Sequence, residues 1–239
     1  MSELWAVVPA AGSGSRMSQG QSKQYVQLYG RTLLDWSVGA LLSCSQLRGC
    51  VVALPKADLA LDKVGVLEDA RVSLCAGGAS RAESVAAGIA ALPAEDNDWV
   101  LVHDAARPCL SQSDLQTLIE AVSGSGVGGI LALPITDTLK RADESDHVSA
   151  TLDREAVWSA QTPQMFRVGE LRGALAAAQA NGYAVTDEAS AMEASGFAVQ
   201  LVRGSVGNLK VTYASDMQLA AFWLKELHPQ EVSIEGRES

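Results

Sequence analysis

The chain has 239 residues, 48% of them hydrophobic and 19% charged, a size that closes a single core without disulfide or metal staples. Eighteen Lys and Arg against 28 Asp and Glu leave a formal charge of −10, which argues against a broad nucleic-acid or membrane face; an anionic ligand would have to meet a local basic pocket. No apolar run reaches the roughly 18–20 residues that cross a bilayer. Cys44, Cys50, Cys75 and Cys109 form no Cys-x-x-Cys pair, so buried free thiols in a cytoplasmic protein are expected, with no signal peptide ahead of the first strand.

That first strand, expected over residues 4–8, runs into Pro9-Ala10-Ala11-Gly12-Ser13-Gly14-Ser15-Arg16-Met17 and then Ser22-Lys23-Gln24-Tyr25. Glycines allow close backbone approach to a ligand, successive free N–H groups suit phosphate oxygens, and Arg16 and Lys23 add full charges. The string is not a Walker A loop, which needs Gly-x-x-x-x-Gly-Lys-Ser/Thr. Nor is it a dinucleotide fingerprint: Met17 stands at the third glycine, and Ala53-Leu54-Pro55 ends the second strand without an acidic residue. Gly12 and Gly14 alone would only mark a tight turn; the two cations on the same loop point to phosphate.

Further strands are expected at 49–54, 72–75, 99–103 and 129–133, and helices at 32–43, 57–67, 80–92 and 111–123. Ser80 and Glu83 form a capping-box pattern ahead of the alanine-rich third helix. Continuous apolar strands separated by helices imply an α/β fold: a Rossmann-like, mostly parallel sheet with helices on both faces. Ligands in such sheets sit beyond the carboxyl ends of the strands, and the polar stretches 9–17, 77–84 and 103–108 all fall there. Residues 135–157 break the alternation as strand, acidic turn, strand: a β-hairpin arm too poor in apolar residues to stand alone, which either lies back on its own domain or, the favoured reading, docks on a second subunit. Residues 158–166 read as an irregular Gln/Pro stretch. An alanine-rich helix follows at 168–181, ending at Gly182. Thr186 is expected to cap a helix running to Ser195, strands are expected at 198–202 and 209–211, and a last helix starts at Ser215 or Asp216 and ends near His228-Pro229, before a frayed tail.

Taken together, the strings Pro9 to Met17, Lys23-Gln24-Tyr25, Gly77-Gly78-Ala79-Ser80-Arg81-Ala82-Glu83-Ser84-Val85 and Val102-His103-Asp104-Ala105-Ala106-Arg107-Pro108 carry a resemblance. So do Asp137-Thr138-Leu139-Lys140, Leu152-Asp153-Arg154, Gln161-Thr162-Pro163-Gln164, Thr186-Asp187-Glu188-Ala189-Ser190 and Asn208-Leu209-Lys210-Val211-Thr212. In this order they resemble the 2-C-methyl-D-erythritol 4-phosphate cytidylyltransferases of the non-mevalonate isoprenoid pathway. The resemblance implies a nucleotidyltransferase-type α/β domain over 1–134 and 158–239, with 135–157 as a dimerisation arm.

It also implies a reaction in which the acceptor's phosphate attacks the α-phosphorus of CTP and pyrophosphate leaves. Such a nucleophile is already anionic, so charge neutralisation and in-line placement matter more than a general base. By resemblance, Arg16 and Lys23 serve the triphosphate as catalytic cations, with Arg154 and Lys210 holding the acceptor phosphate. Ala10, Ala11, Gly12, Ser13, Gly14, Gly78, Ala79, Arg81 and Ser84 bind the nucleotide. Asp104, Arg107, Thr138, Arg154, Thr186 and Lys210 bind methylerythritol phosphate. Asp104 is also the expected ligand of Mg²⁺ or another divalent cation, a hard ion that prefers oxygen. The family is homodimeric and exchanges the arm, so Thr138 and Arg154 would serve the partner's site. His103 reads as a satisfied strand-end histidine, and Asp187 and Glu188 as favourable first-turn charges. Two departures stand out: Ser22 where the family usually has proline, and Gly207 where an acidic residue is common, the latter removing a partner that would orient Lys210. A sibling polyol-phosphate enzyme, such as a ribitol 5-phosphate cytidylyltransferase, and a non-catalytic nucleotide-binding protein are the alternatives.

Overall fold

A computed structural model describes residues 2–12, 22–56 and 65–234. A seven-stranded sheet forms its centre. Strands β1 (Leu4–Pro9), β4 (Leu47–Leu54), β5 (Val72–Ala76), β6 (Trp99–Val102), β7 (Gly129–Pro134), β10 (Trp158–Arg167) and β11 (Gln200–Arg203) are ordered β11-β7-β10-β6-β1-β4-β5. Every neighbouring pair is parallel except those made by β10, which runs antiparallel to both β6 and β7. Two small sheets flank the centre: β2 (Gln27–Leu28) with β3 (Arg31–Thr32), and β8 (Leu139–Ala142) with β9 (Val148–Leu152).

The sheet is covered on both sides because alternate side chains of a strand face opposite ways. Leu4, Ala6 and Val8 of β1 pack into one cluster with α1 (Leu33–Leu42) and α3 (Gln112–Ser125). Trp5 and Val7 face the other, with α2 (Arg81–Ala91), α4 (Val168–Ala180) and α5 (Glu188–Ala194). A third cluster seats α6 (Asp216–Leu227) and α7 (Pro229–Ile234) through Leu224, Val232, Trp36 and Val211. β1 is flanked by β4 on one side and β6 on the other, so the order reverses there, the place where open α/β sheets bind ligands.

Five expectations need correction. Residues 158–166 are not irregular: they lie within β10, in the middle of the sheet. Pro163 falls where the β10–β7 register shifts between Ala160 and Gln164, the position at which a strand tolerates a missing donor. Residues 209–211 form no strand. Thr186 does not cap α5; Asp187 does, its carboxylate accepting from the Ser190 N–H. The tail is helical as far as Ile234, with Val232 buried. The capping box at Ser80 is half made: Ser80 accepts from the Glu83 N–H, while the Glu83 carboxylate turns to the Ala79 N–H. Most of the helix expected at 57–67 lies outside the described residues, and Gly65–Glu68 forms a single 3₁₀ turn. Cys44, Cys50 and Cys109 are buried and Cys75 half-buried, all free. Burial pushes the thiols of Cys50 and Cys109 up to about 12, so neither is a nucleophile at neutral pH. Among the described residues no helix is long and apolar enough to cross a membrane.

Candidate active site

Three loops leave the carboxyl ends of β1, β5 and β6 and enclose a cavity of about 300 Å³. The β1 loop is held by the Ala10 N–H donating to Ala53 O, and by the buried Gln24 amide donating to Ala10 O at 2.8 Å. That second bond fixes the 3₁₀ turn Lys23–Tyr25 beside the loop. The Lys23 ammonium lines the cavity and donates to Val211 O. Ser22 has φ −64°, a value proline would also adopt.

The β5 loop is folded onto α2. The Gly78 N–H donates to the Ser84 hydroxyl at 3.2 Å, and that hydroxyl donates to Ser80 O at 2.9 Å. Ser84, expected to read the base, therefore spends its single proton on its own loop and offers the cavity only acceptor capacity. Gly77 must lack a side chain: a Cβ there would come within 2.5 Å of the Ala11 Cβ and 2.8 Å of the Ser84 Oγ. The β1 and β5 loops thus approach as closely as backbone allows.

The β6 loop supplies the charge. Asp104 is buried, with Oδ1 2.9 Å from Arg81 Nε and Oδ2 2.8 Å from Lys210 Nζ. Burial alone would raise its pKa, but Arg81, Lys210 and Arg107 outweigh that and hold the carboxyl well below the usual carboxylate range. Arg81 extends from α2 to a second carboxylate, Glu188 on α5, with Nη1 and Nη2 at 2.6 and 3.0 Å from its two oxygens. Burial opposes the Arg81 charge, yet Glu188 and Asp104 drive its pKa upward overall. Glu188 has no exposed surface. Its helix is pinned from β10: Gln164 donates to Asp187 Oδ2 and accepts from the Ala189 N–H, each at 2.9 Å.

His103 is buried with a partner on each ring nitrogen, Thr162 Oγ1 on Nδ1 and Arg107 O on Nε2, both at 3.0 Å. The carbonyl can only accept, so Nε2 carries a proton. Thr162 Oγ1 already accepts from the Asp104 N–H, leaving its own proton for Nδ1. Burial pulls the His103 pKa down to about 4, which agrees with this neutral tautomer. His103 and Thr162 together set the backbone from which Asp104 projects.

Lys210 sits on a segment anchored at both ends: the Val211 N–H donates to Ala106 O, and the Asn208 amide to Thr162 O, each at 2.8 Å. Asp104 supplies the orienting partner that an acidic residue at position 207 would otherwise provide. Gly207 is closely covered by Trp223, whose ring a Cβ would meet at 3.1 Å.

The structure therefore brings Ala10, Ala11, Gly12, Lys23, Gly78, Ala79, Arg81, Ser84, Asp104 and Lys210 to one cavity. It does not bring Arg107 there. Arg107 lies behind Asp104, buried, donating through Nη1 to Asn208 O and through Nη2 to Ala160 O, with Nε 3.9 Å from Asp104. Its place is that of a loop anchor, because two backbone carbonyls claim its fork. Thr138 and Arg154 are exposed on the arm, Arg154 donating to Thr136 O, and neither lines the cavity. Thr186 is exposed beside α5, its N–H donating to the Ser190 hydroxyl. Ser13, Gly14 and Arg16 lie outside the described residues. Glu188, Gln24, Thr162 and Gln164 carry structural duties at the site that the sequence reading did not give them. The signal for Glu188 was Arg81 itself, a cation at the start of a helix packed on the sheet that needed a counter-charge.

Asp104 fits poorly as a metal ligand in this arrangement. Each of its oxygens already meets a cation, and among the described residues no group of three His, Cys, Asp or Glu could hold an ion. Lys23, Arg81 and Lys210 line the cavity against one carboxylate, Asp104, so the cavity is locally positive inside an acidic protein and suited to phosphate.

Comparison with known proteins places the chain in a family. The family model described as IspD: 2-C-methyl-D-erythritol 4-phosphate cytidylyltransferase matches residues 4–226. The protein of that name from Pseudomonas putida strain F1 is 47% identical over 226 residues, 93% of this chain and 94% of the relative. That from Pseudomonas aeruginosa strain UCBPP-PA14 is 49% identical over 217 residues, 90% and 93% of the two chains. The crystal structure of the Francisella tularensis 2-C-methyl-D-erythritol 4-phosphate cytidylyltransferase superposes with a TM-score of 0.82 at 33% identity, covering 93% of this chain and all of that one. A crystal structure of a 4-diphosphocytidyl-2C-methyl-D-erythritol synthase has the same TM-score at 38% identity, covering 94% and 99%.

Proposed function

The chain belongs to the 2-C-methyl-D-erythritol 4-phosphate cytidylyltransferase family, and from that premise we propose how its own residues carry out the transfer of CMP from CTP to 2-C-methyl-D-erythritol 4-phosphate. The products are 4-diphosphocytidyl-2-C-methyl-D-erythritol and pyrophosphate. An acceptor phosphate oxygen forms a bond to the α-phosphorus as the bond to the pyrophosphate oxygen breaks.

Ala10, Ala11 and Gly12 from the loop after β1, with Gly78 and Ala79 from the loop after β5, hold the nucleoside through backbone groups. A closely fitted pocket of this kind selects a base because a wrong one leaves buried donors or acceptors unpaired. Arg81 and Ser84 complete that wall. Lys23 meets the triphosphate and neutralises charge at the α-phosphoryl group and the departing pyrophosphate, in concert with Arg16. Lys210, steadied by Asp104, holds the acceptor phosphate in line. The observation that best supports this reading is that Lys23 and Lys210, 187 positions apart (210 − 23), line one cavity at the point where the strand order reverses. Asp104 also suits an acceptor hydroxyl. Mg²⁺ or another divalent cation belongs to the proposal as a companion of the nucleotide phosphates, whose oxygens and water it prefers as ligands.

The protein acts as a cytoplasmic homodimer in this proposal, with no nucleic-acid or membrane partner. The arm supplies Thr138 and Arg154 to the partner's cavity, and Thr186 reaches the acceptor from its own chain. Support comes from the arm's construction: β8 and β9 pair only with each other among the described residues, and Val148 is 64% exposed. Pyrophosphate release from CTP and Mg²⁺ tests the function, with methylerythritol phosphate, ribitol 5-phosphate or no acceptor. Release with methylerythritol phosphate is expected. Preference for ribitol 5-phosphate would reassign the acceptor, and CTP binding without release to any acceptor would leave a binding protein only.

A further inference from the structure

Glu188 stands apart from the other charges of the site because it has no exposed surface and is not in the cavity. An ionised carboxylate so placed is costly unless paired and fully hydrogen-bonded. Both of its oxygens are taken by the fork of Arg81, 107 positions away in sequence. The third Arg81 donor, Nε, reaches Asp104 Oδ1, and the free oxygen of Asp104 holds Lys210.

A guanidinium beside a carboxylate tends to close on it in two-pronged fashion. Without Glu188, the nearest carboxylate for the Arg81 fork is Asp104. Closing there would change how the guanidinium faces the cavity, which Asp104 lines and Glu188 does not, and would claim the oxygen that now holds Lys210. We propose that Glu188 is a positioning residue: by taking the Arg81 fork it sets how Arg81 faces the nucleotide, and it reserves one oxygen of Asp104 for Lys210. One buried carboxylate on α5 thereby keeps the nucleotide and acceptor halves of the site in register. This rests on the reading of the cavity as a site for CTP and a phosphorylated acceptor.

Steady-state pyrophosphate release from the full-length protein tests it, with KM for CTP, KM for the acceptor and kcat separated and a thermal melt taken alongside. Glu188→Gln keeps the volume and removes the charge. Its KM for CTP should rise roughly 10-fold, the size of a lost charge-assisted hydrogen bond, with a smaller rise for the acceptor and a lesser effect on kcat. Glu188→Asp keeps the charge on a shorter stem and should recover part of the loss. Arg81→Gln/Glu188→Gln should be no worse than Arg81→Gln alone, since Glu188 acts through Arg81. A Glu188→Gln protein with a lower melting temperature but unchanged KM values, or effects that add to those of Arg81→Gln, would overturn the proposal. Should Glu188→Gln not fold, Glu188→Asp decides: a raised KM for CTP supports the role and an unchanged one ends it. If the wild type releases no pyrophosphate, the functional reading fails separately, and calorimetric titration with CTP judges the pair, weaker binding by the variant supporting it and equal binding overturning it. A wild type that does not bind CTP removes both.

Discussion

The charge cluster around Asp104 and the β8–β9 arm hold residues assigned to the same reaction, and they are built in opposite ways. In the cluster, Asp104 and Glu188 meet Arg81 and Lys210 at 2.6–2.9 Å on elements drawn from across the chain. Buried Gln164, Thr162 and Asn208 brace the backbone beneath them. In the arm, Lys140 bonds Thr151 and Arg154 bonds a carbonyl of its own root, all in exposed positions. The cluster's geometry is set by its own fold. Among the described residues the strands of the arm pair only with each other, and the side chains of Thr138 and Arg154 are exposed.

This contrast yields graded expectations. The largest concerns Asp104→Ala, which leaves half-exposed Lys210 without its counter-charge and Arg81 with Glu188 alone; with the cations still partly paired or solvated, the cost should be about 2–3 kcal/mol, below that of breaking a fully buried pair. Chemical denaturation should record that loss, and a change below about 1 kcal/mol would show that the cluster is not what fixes this end of the sheet.

Next come Lys23→Ala and Arg154→Ala, each expected to lower turnover by roughly 10²-fold or more with the melting temperature retained, as for other preorganised charges. If the arm works in the partner's cavity, mixing the two inactive proteins under conditions of subunit exchange should restore activity, because one hybrid site then carries both intact residues. Absence of recovery despite proven exchange would return the arm to its own chain.

A smaller effect tracks pH. Burial lowers the His103 pKa from 6.5 to about 4, so the unfolded chain takes up a proton in this window that the folded chain refuses. Stability from the neutral imidazole is therefore complete above pH 6.5 and declines as pH falls towards 4, by about 2 kcal/mol between pH 7 and pH 5. Denaturation at the two pH values should show a steeper fall for the wild type than for His103→Gln; equal slopes would place the ring outside the cluster's framework. The smallest effect is Lys140→Ala on the arm. An exposed hydrogen bond of this kind should cost no more than about 0.5 kcal/mol, and a larger loss would mean that the arm is braced within a single chain.

The parallel core and the positions of the three loops were legible from the sequence because apolar runs alternating with helical periods have one economical packing. The meeting of Gly12, Gly78, Arg81 and Asp104 at one cavity was legible for the same reason: they follow strand ends that a parallel sheet places on one edge. β10 was not, since Gln161, Thr162 and Gln164 look like loop residues and Pro163 like a strand breaker. Their polarity is spent on neighbours that only the fold assembles, Ser205, His103, Asp187 and Ala189. Arg107 differs in the reverse direction: the family resemblance gave it an acceptor contact, and in the fold two backbone carbonyls from distant segments occupy its fork. Glu188 sat at a helix start, where a carboxylate is favourable anyway, and its second purpose depends on a residue in another helix.

The way the arm leaves the body has a consequence for how such enzymes diversify. β7 and β10 are antiparallel neighbours, Pro134 pairs with Trp158, and the Ile135 N–H closes on Val157 O. The chain thus departs and returns through adjacent positions, and everything between them is an insert on one long hairpin. Such an insert is topologically neutral: it can lengthen, shorten or change its chemistry while the sheet, the nucleotide loops and the buried charges stay as they are. A change of length or sequence confined to this insert can accordingly be selected without moving the sheet that carries Asp104 or the segment that carries Lys210.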